Sequence, residues 1–358
     1  MASLTAISGL GAKGPACFLL DTGEARLLLD LGYGPAPGLW PDVSHVGRVD
    51  ALLLSHGHRD HAGALQLAPD VGDPPVHATA AVLDRIGRSG DGTELPTQGE
   101  ATVCGIRVRT GRNGHAPGGV WLHFDVGGGF LYTGDYGVES PIYAYDAPPP
   151  ARTVVLDGSY GDYGDSLKEG MARLAPVFER RSALMPVPPD GRGPEIAYHL
   201  ATACGFLPCI GEDLRRSLER MAAAERGSLR PGAAEVLARI ARESSRAVDP
   251  AGILLTGRAD ASDGEAGALA ARWESEARLE MIFTGYYAPG SPAQRLVDSG
   301  RGRYVRWNAH PRLADNVALA RAIEAETVLP AFGDAKHLDA WRAAFAPARV
   351  ILDASVQF

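Results

Sequence analysis

The chain has 358 residues, 45% of them hydrophobic, with a formal net charge of -8 and a mean hydropathy of -0.08. This is the composition of a globular protein, and the length predicts two domains or one domain with a large insertion. The acidic balance argues against nonspecific coating of nucleic acid, so any such partner must meet a local basic patch. The sparse cysteines, the absence of a basic n-region and the lack of a long apolar run predict a cytoplasmic protein with no membrane partner.

The first half of the chain predicts short strands joined by turns. Residues 4–31 read as strands with glycine-rich turns, and TGEA at 22–25 as a hairpin loop. DALLL at 50–54 is predicted as a buried strand. ALQLAP further on predicts one or two helical turns that end at Pro69. Further strands are predicted within 101–111, 119–135 and 151–159.

The second half of the chain has a different pattern, in which helical periodicity predominates. Residues 166–182 and 212–247 have helical periodicity, and strands such as SALMPVP and GILLTG fall between the helical stretches, as in a small doubly wound α/β unit. The chain then returns to a strand-like RYVRWN, a helix in LADNVALARAIEA and a strand in TVLPAF. These elements predict an α/β body that is interrupted by an inserted domain. The predicted bounds are 1–165 and 303–358 for the body and 166–302 for the insertion.

The segment LLLSHGHRDHAG crowds metal-binding side chains directly after an apolar strand. Alternate side chains of an extended segment point the same way, so His56 and His58 can hold one ion. Asp60 and His61 follow at the predicted start of a helix and can address a second ion. Imidazoles and carboxylates are zinc ligands, and without a metal the three imidazoles would repel one another if they were protonated. Ser55 is expected to make a local hydrogen bond rather than to bind metal.

This segment resembles the signature of the metallo-β-lactamase superfamily, and later segments follow the order of that family. The resemblance implies the four-layer αββα metallo-β-lactamase fold. It implies that Asp30, which ends a strand in LLLDLG, orients the site without binding metal. It also implies that His115 in NGHAPGG is the third His of the first metal site and that Asp135 in FLYTGDYG bridges both metals.

Further segments resemble the β-CASP branch of the superfamily, whose members are nucleases with a cap domain inserted into the metallo-β-lactamase fold. The resemblance covers nearly the whole chain and implies an α/β, β-CASP-like cap. It implies that Asp157 supports the site and that His310 lies near the scissile phosphate and assists the leaving group. The segments are VVLDGSYGDY with Asp157, DGRGPEIAYHL with Arg192, ILLTGRADASDGEAG, FTGYYAPGSPAQRLVDSG and RWNAHPRLADN with His310.

One position departs from the branch, which usually completes the second metal site with a His in a strand followed by Gly and an acid. In VLPAFGDAKH that position is Phe332, so a second ion would keep Asp60, His61 and Asp135 but lose a protein ligand. Water or substrate could fill the position, His337 could swing in, or the second site could be weak and the protein slow or inactive. The DNA-acting members of the branch usually have Val there, which tilts the prediction slightly toward DNA.

The resulting hypothesis is a zinc-dependent nuclease that cleaves single-stranded RNA or DNA. A metal-bound hydroxide is expected to attack phosphorus in line, while His310, steadied by Asp157, protonates the leaving oxygen. Asp60 is expected to be essential for catalysis. Two zinc ions per chain are expected, with Mn²⁺ as an alternative. The expected partner is single-stranded nucleic acid, and a homodimer is a further prediction.

An acidic protein needs a local basic patch to bind nucleic acid, and that patch is predicted close to His310. Asp298 is the only acid between residues 295 and 312. Tyr286, Tyr287 and Trp307 are candidates for base stacking, with core packing expected for at least one of them. The predicted substrate-binding residues are Arg192, Arg295, Arg306 and Arg312, with Arg301 and Arg303 in the same cluster.

Two alternatives stay open. A thioesterase, lactonase or β-lactamase-like hydrolase would share the metal motif but not the segments between residues 186 and 310. A catalytically weak scaffold member of a processing complex is the second alternative, which Phe332 favours and the intact first-site signature disfavours.

Overall fold

The structure is a computed structural model that describes residues 2–246, 252–275 and 279–358. The chain divides into two compact units. We call them unit 1 (Met1–Val138, Ala144–Gly164 and His310–Phe358) and unit 2 (Glu139–Tyr143 and Asp165–Ala309).

The strands and helices follow one another in the order below. The strands are β1 (Ser3–Ser8), β2 (Cys17–Asp21), β3 (Arg26–Leu29), β4 (Ala51–Leu53), β5 (Val76–Ala78), β6 (Thr93–Glu94), β7 (Gly99–Val103), β8 (Ile106–Arg112), β9 (Val120–Phe124), β10 (Phe130–Tyr132), β11 (Thr153–Asp157), β12 (Ser182–Pro186), β13 (Cys209–Ile210), β14 (Gly252–Thr256), β15 (Glu280–Phe283), β16 (Gly302–Tyr304), β17 (Thr327–Ala331), β18 (Arg349–Val350) and β19 (Ser355–Gln357). The α-helices are α1 (Arg59–Ala62), α2 (Ala80–Arg85), α3 (Leu167–Arg180), α4 (Arg192–Thr202), α5 (Glu212–Ala223), α6 (Ala233–Glu243), α7 (Gly264–Trp273), α8 (Pro292–Asp298), α9 (Leu313–Ala322) and α10 (Leu338–Phe345). Short 3-10 helices cover Leu65–Val71, Arg226–Ser228 and Ala335–His337.

Unit 1 is built on two seven-stranded sheets. Their strand orders are β19-β1-β2-β3-β4-β5-β6 and β18-β17-β11-β10-β9-β8-β7. Successive side chains of a strand point to opposite faces. Phe18 and Leu20 of β2 therefore enter the core between the sheets, where Tyr132 of β10 also packs. The intervening Leu19 joins a second core on the outer face of the first sheet.

Helices cover the outer faces of both sheets. Val82 and Leu83 of α2 pack in the outer core of the first sheet. Leu319 of α9 and Trp341 of α10 pack against Leu131 and Val154 on the outer face of the second sheet. The predicted four-layer αββα body is thereby confirmed.

Unit 2 is a smaller α/β unit around one five-stranded sheet of order β13-β14-β12-β15-β16, whose strands pair in parallel. Helices α3, α4, α5 and α6 pack on one face and α7 and α8 on the other. Parallel strands covered on both faces read as continuous apolar runs, which explains the sequences of β12 and β14.

Several elements differ in detail from the sequence prediction. The predicted strand at 101–111 is a hairpin of β7 and β8, because Cys104 and Gly105 both adopt positive φ and turn the chain. Pro69 does not end its helix: the 3-10 turn continues to Val71, since a proline lacks only its own N–H and its carbonyl still accepts from Gly72. The described part of the predicted helical stretch 212–247 forms two α-helices, α5 and α6, and residue 247 lies outside the described residues. No helix within the described ranges has both the length and the apolar character needed to cross a membrane.

Candidate metal centre

The metal-binding segment begins where β4 ends. Strands β3 and β4 are parallel neighbours, so the residues that follow them meet at one edge of the first sheet. Asp30 follows β3 with a positive φ of 57°, and its N–H donates to the carbonyl oxygen of Leu53 at 2.9 Å. His56 and His58 follow β4, and Asp60 and His61 lie on the short helix α1, as predicted.

Asp30 holds the centre together through four polar contacts. Its carboxylate accepts from the Ser55 amide and hydroxyl, both at 2.7 Å, and from the Tyr132 hydroxyl at 2.6 Å. The Nδ1 of His61 lies 2.7 Å from Asp30 Oδ2, and its Nε2 lies 3.2 Å from Oδ1 of Asp135. Asp30 thereby fixes the ring of His61 so that Nε2 faces the candidate ion site.

The first candidate metal group comprises His56, His58, His115 and Asp135, whose ligand atoms all lie within 4.8 Å of one another. His115 Nε2 is 3.1 Å from His58 Nδ1 and 3.5 Å from Asp135 Oδ2. The amide of His115 donates to the Asn113 side chain at 3.0 Å, which anchors its loop. These residues come from three separate segments, and tertiary folding brings them together.

Asp60, His61 and Asp135 form a second candidate group, and Asp135, Asp157 and His310 form a third. Asp135 belongs to all three groups and is only 3% exposed. Because Asp135 belongs to both the first and the second group, its carboxylate is placed to bridge two cations.

The donor atoms fit metal ions. Nε2 of His56 is buried and has no hydrogen-bond partner, which is unusual for a buried ring nitrogen and leaves it available as a ligand. Burial, together with the neighbouring His61 and His58, lowers the pKa of His56 well below its usual range, so its ring is the neutral imidazole that binds metal. Burial would also lower the pKa of His61, but the carboxylates of Asp135 and Asp30 raise it well above its usual range.

Asp157 and His310 lie beside the metal groups. Nδ1 of His310 is 2.8 Å from Asp157 Oδ2 and 3.6 Å from Asp135 Oδ2. The amide of Ser159 donates to Asp157 Oδ1 at 2.9 Å, and the Asn316 side chain donates to the Asp157 carbonyl at 2.8 Å. Asp157 orients the His310 ring through Nδ1, and the side chain is 13% exposed, so part of the ring remains accessible to solvent.

Phe332 packs next to the second candidate group. It is 3% exposed, and its ring meets that of His61 edge-on at a centroid distance of 5.0 Å and that of Phe18 at 6.1 Å. His337 lies elsewhere: its Nδ1 is 3.1 Å from Asp162 Oδ1, and it belongs to none of the three metal groups found among the described residues.

The predicted basic residues differ in how far their charge is already paired. Arg303 lies 3.0 Å from Glu280, and Arg312 makes two hydrogen bonds to Asp315 at 2.8 and 2.9 Å. These two acids therefore offset part of the positive charge that the sequence predicts for the patch.

Three other predicted arginines have contacts within unit 2. Arg192 lies against Gly285, where an added Cβ would overlap the guanidinium. Arg295 donates to the Gly290 carbonyl at 3.0 Å, and Arg306 to the Tyr304 hydroxyl at 3.0 Å.

Trp307 was a candidate for base stacking, but it is fully buried and its Nε1 donates to Glu195 at 2.6 Å, so it belongs to the core of unit 2. Sequence reasoning missed Tyr132 and Tyr160, whose ring meets that of His310 at 5.1 Å. The available signal for Tyr132 was its place in FLY, where strand periodicity puts it on the face between the sheets.

A family model described as the metallo-beta-lactamase superfamily matches residues 10–173. This range contains every residue of the first two metal groups. Residues 10–173 therefore form a metallo-β-lactamase domain, and the predicted resemblance to that superfamily is confirmed for this part of the chain.

The curated relatives include several archaeal proteins named transcription termination factor FttA. The one from Methanosarcina mazei is 28% identical over 57% of this chain and 40% of its own length, and that from Methanothermobacter thermautotrophicus is 28% identical over 46% and 32%. Endoribonuclease YSH1 from Candida albicans is 25% identical over 43% of this chain and 23% of its own length. The matches cover less than half of the length of each of these relatives.

Among solved structures, a protein of unknown function from Enterococcus faecalis V583 matches with a TM-score of 0.60 at 14% identity, covering 98% of both chains. At this identity the likeness shows a shared fold.

Proposed function

We propose that this protein is a metal-dependent phosphodiesterase that cleaves single-stranded nucleic acid. The observation that carries the proposal is Asp135, whose carboxylate belongs at once to the first His cluster, to the Asp60–His61 group and to the Asp157–His310 pair. A carboxylate between two cation sites, with an oriented imidazole beside it, suits hydrolysis of a phosphodiester.

Two zinc ions, when bound, would lower the pKa of water and neutralise charge on the phosphoryl oxygens. His56, His58 and His115 would hold one ion, Asp60 and His61 the other, and Asp135 would touch both. Mn²⁺ is the alternative ion for the same donors.

His310 is the proposed proton donor. Nδ1 of His310 donates to the Asp157 carboxylate, so the ring can donate a proton from Nε2 to the leaving oxygen when it is the imidazolium. Asp157 is in turn fixed by the amide of Ser159 and the side chain of Asn316. This arrangement keeps the ring in one orientation while substrate binds.

Nucleic acid is the proposed substrate because the curated relatives include an endoribonuclease and transcription termination factors. These names favour RNA, whereas Phe332 favours DNA slightly. We propose unit 2 as the β-CASP-like cap, with Arg192, Arg295 and Arg306 as contacts to the strand backbone and Arg312 as a further candidate. A homodimer stays a prediction.

The test is cleavage of end-labelled single-stranded RNA and DNA by the parent protein and by the variants Asp60→Asn and His61→Ala. Both variants are expected to lose cleavage by at least about a hundredfold, because each removes a ligand of the second ion. Their metal content should fall from about two ions per chain toward one.

His45→Ala is the matched control, since His45 is exposed and lies outside the three metal groups. It should cleave as the parent does. Equal cleavage by Asp60→Asn, His61→Ala and the parent would overturn the mechanism. A parent protein with no bound metal and no cleavage would favour a scaffold.

A further inference from the structure

A compact aromatic surface lies beside the metal-binding segment in unit 1. Of the described large hydrophobic side chains, Trp40 is 43% exposed and Leu39 is 38% exposed. The ring of Trp40 lies 4.1 Å from that of Tyr33, centroid to centroid, and the guanidinium of Arg59 lies 4.2 Å from the Tyr33 ring centroid. We call Tyr33, Leu39, Trp40 and Arg59 the aromatic–arginine platform.

The platform is tied to the metal centre through the backbone. Arg59 stands between His58 of the first metal group and Asp60 of the second. The amide of Tyr33 donates to the carbonyl of Arg59 at 2.9 Å, and the amide of Leu31 donates to that of His61 at 2.8 Å. The backbone thereby joins the platform to the segment that carries residues of both metal groups.

The loop that carries Trp40 is held in a fixed turn. The amide of Gly34 donates to the carbonyl of Leu39 at 2.9 Å, and the amide of Gly38 donates to the Tyr33 hydroxyl at 2.8 Å. Trp40 is thus presented on an ordered turn while a large part of its ring stays in solvent. Leaving an aromatic ring exposed forgoes burial energy, so a ring held this way is typical of a binding surface.

We propose that the aromatic–arginine platform binds one nucleotide that flanks the scissile phosphate, with the base against Trp40 and the backbone phosphate at Arg59. The inference rests on the proposed function and adds a subsite to it. Bases of any sequence stack on aromatic faces, and guanidinium groups pair with phosphate oxygens. The exposed pairing of a ring and a cation fits a nucleotide better than it fits an apolar peptide or a second copy of the chain.

The sequence supplies a selective probe for this proposal. The chain has five tryptophans, and the other four are buried: Trp121, Trp273, Trp307 and Trp341 are 5%, 3%, 0% and 1% exposed. Collisional quenching by acrylamide therefore reports on Trp40. Oligo(U) or oligo(dT) should protect Trp40 from acrylamide quenching. The variant Trp40→Phe has only buried tryptophans, so oligonucleotide should not change its quenching.

A substrate walk tests the position of the subsite. An abasic nucleotide placed at successive positions should weaken binding at one position beside the cleaved bond, by about 5- to 150-fold, the range for one stacked base. In Trp40→Ala the same abasic nucleotide should have no further effect, whereas abasic nucleotides at distant positions should act equally on variant and parent. Trp40→Phe should restore part of the dependence.

These experiments distinguish a failure of the nucleotide-binding platform from a failure of the proposed nuclease activity. Protection of Trp40 by oligonucleotide without any cleavage would retain the platform and overturn the proposed nuclease. Cleavage with unprotected Trp40 and an unchanged abasic profile in Trp40→Ala would overturn the platform. Protection that depends on protein concentration and needs no oligonucleotide would also overturn it, in favour of self-association.

Discussion

At the scale of single residues, the centre depends on which ring nitrogen of each histidine already has a carboxylate as its hydrogen-bond partner. His61 uses Nδ1 on Asp30, so only Nε2 can reach an ion. His310 uses Nδ1 on Asp157 in the same way. The carboxylates thereby hold Nδ1 of each ring and leave Nε2 free to act, as a ligand when the ring is neutral or as a proton donor when the ring is the imidazolium.

Replacing Asp30 by Asn should weaken metal binding without removing a proposed ligand. An amide has one acceptor oxygen in place of two, so it cannot accept from Ser55 and Tyr132 and also from Nδ1 of His61. We expect affinity for the second ion to fall by about 10- to 100-fold, measured by metal titration of the apoprotein. Asp21→Asn, a change at an exposed aspartate, should leave the titration unchanged; equal affinities for Asp30→Asn and the parent would show that the contact is dispensable.

Replacing Phe332 by His should strengthen the second ion site. The position has a φ of 62°, which His tolerates better than most residues, and its side chain already meets the ring of His61. We expect affinity for the second ion to rise on the order of tenfold, which corresponds to about 1.4 kcal/mol. Metal titration measures it, and the control Phe332→Leu offers no ligand. A buried imidazole should cost about 1–3 kcal/mol of stability in the apoprotein. Identical titrations for the two variants would mean that position 332 cannot reach the ion.

At the scale of elements, the centre needs the helix α1 to lie directly on the segment that follows β3. The Ala16 amide donates to the Asp60 carbonyl at 2.7 Å, and that carbonyl sits where a side chain at Gly32 would begin. Glycine is required here for close backbone approach rather than for a special φ.

Gly32→Ala should therefore displace Asp60 and lower both stability and cleavage. Overpacking of this kind costs about 1–3 kcal/mol, and a shift of about 1 Å at a catalytic group can cost about a hundredfold in rate. Denaturant unfolding and oligonucleotide cleavage measure the two effects. Gly164→Ala, where an added Cβ meets open space, should match the parent in both. A stable, fully active Gly32→Ala would mean that α1 can move without cost.

At the scale of the whole molecule, each unit has a core of its own, and a buried acid makes the stability of unit 2 depend on pH. Glu195 is 2% exposed and accepts from Trp307. Burial raises the pKa of Glu195 to about 7, from an ordinary value of 4.5. The folded state thus holds a proton that the unfolded state releases, so stability is complete below the ordinary pKa and falls as pH rises through about 7.

Glu195→Gln should remove that dependence. The amide keeps an acceptor for Trp307 and carries no charge, so at about pH 8 the variant should be more stable than the parent, by up to about 3 kcal/mol. Chemical unfolding followed by tryptophan emission measures the difference at about pH 5 and pH 8. Glu235→Gln, an exposed change in the same unit, should retain the pH dependence of the parent. If the free energy of unfolding of the parent does not change between about pH 5 and about pH 8, then ionisation of Glu195 does not destabilise the fold.

The sequence by itself determined the αββα body and the residues that cluster in it. Strand periodicity and the spacing in SHGHRDH are local properties, and the resemblance fixed the order of Asp30, His115 and Asp135 around that segment. Helix α9 and strand β17 were also predicted close to their actual bounds.

Only the tertiary structure decided which atoms meet. Tyr132 reaches Asp30 across 102 positions of sequence, and Glu280 pairs with Arg303 from a neighbouring strand. Trp307 is 0% exposed and packs in the core of unit 2, whereas Trp40 is 43% exposed on its turn. Burial and charge pairing depend on neighbours that are distant in sequence, so local composition could not predict them.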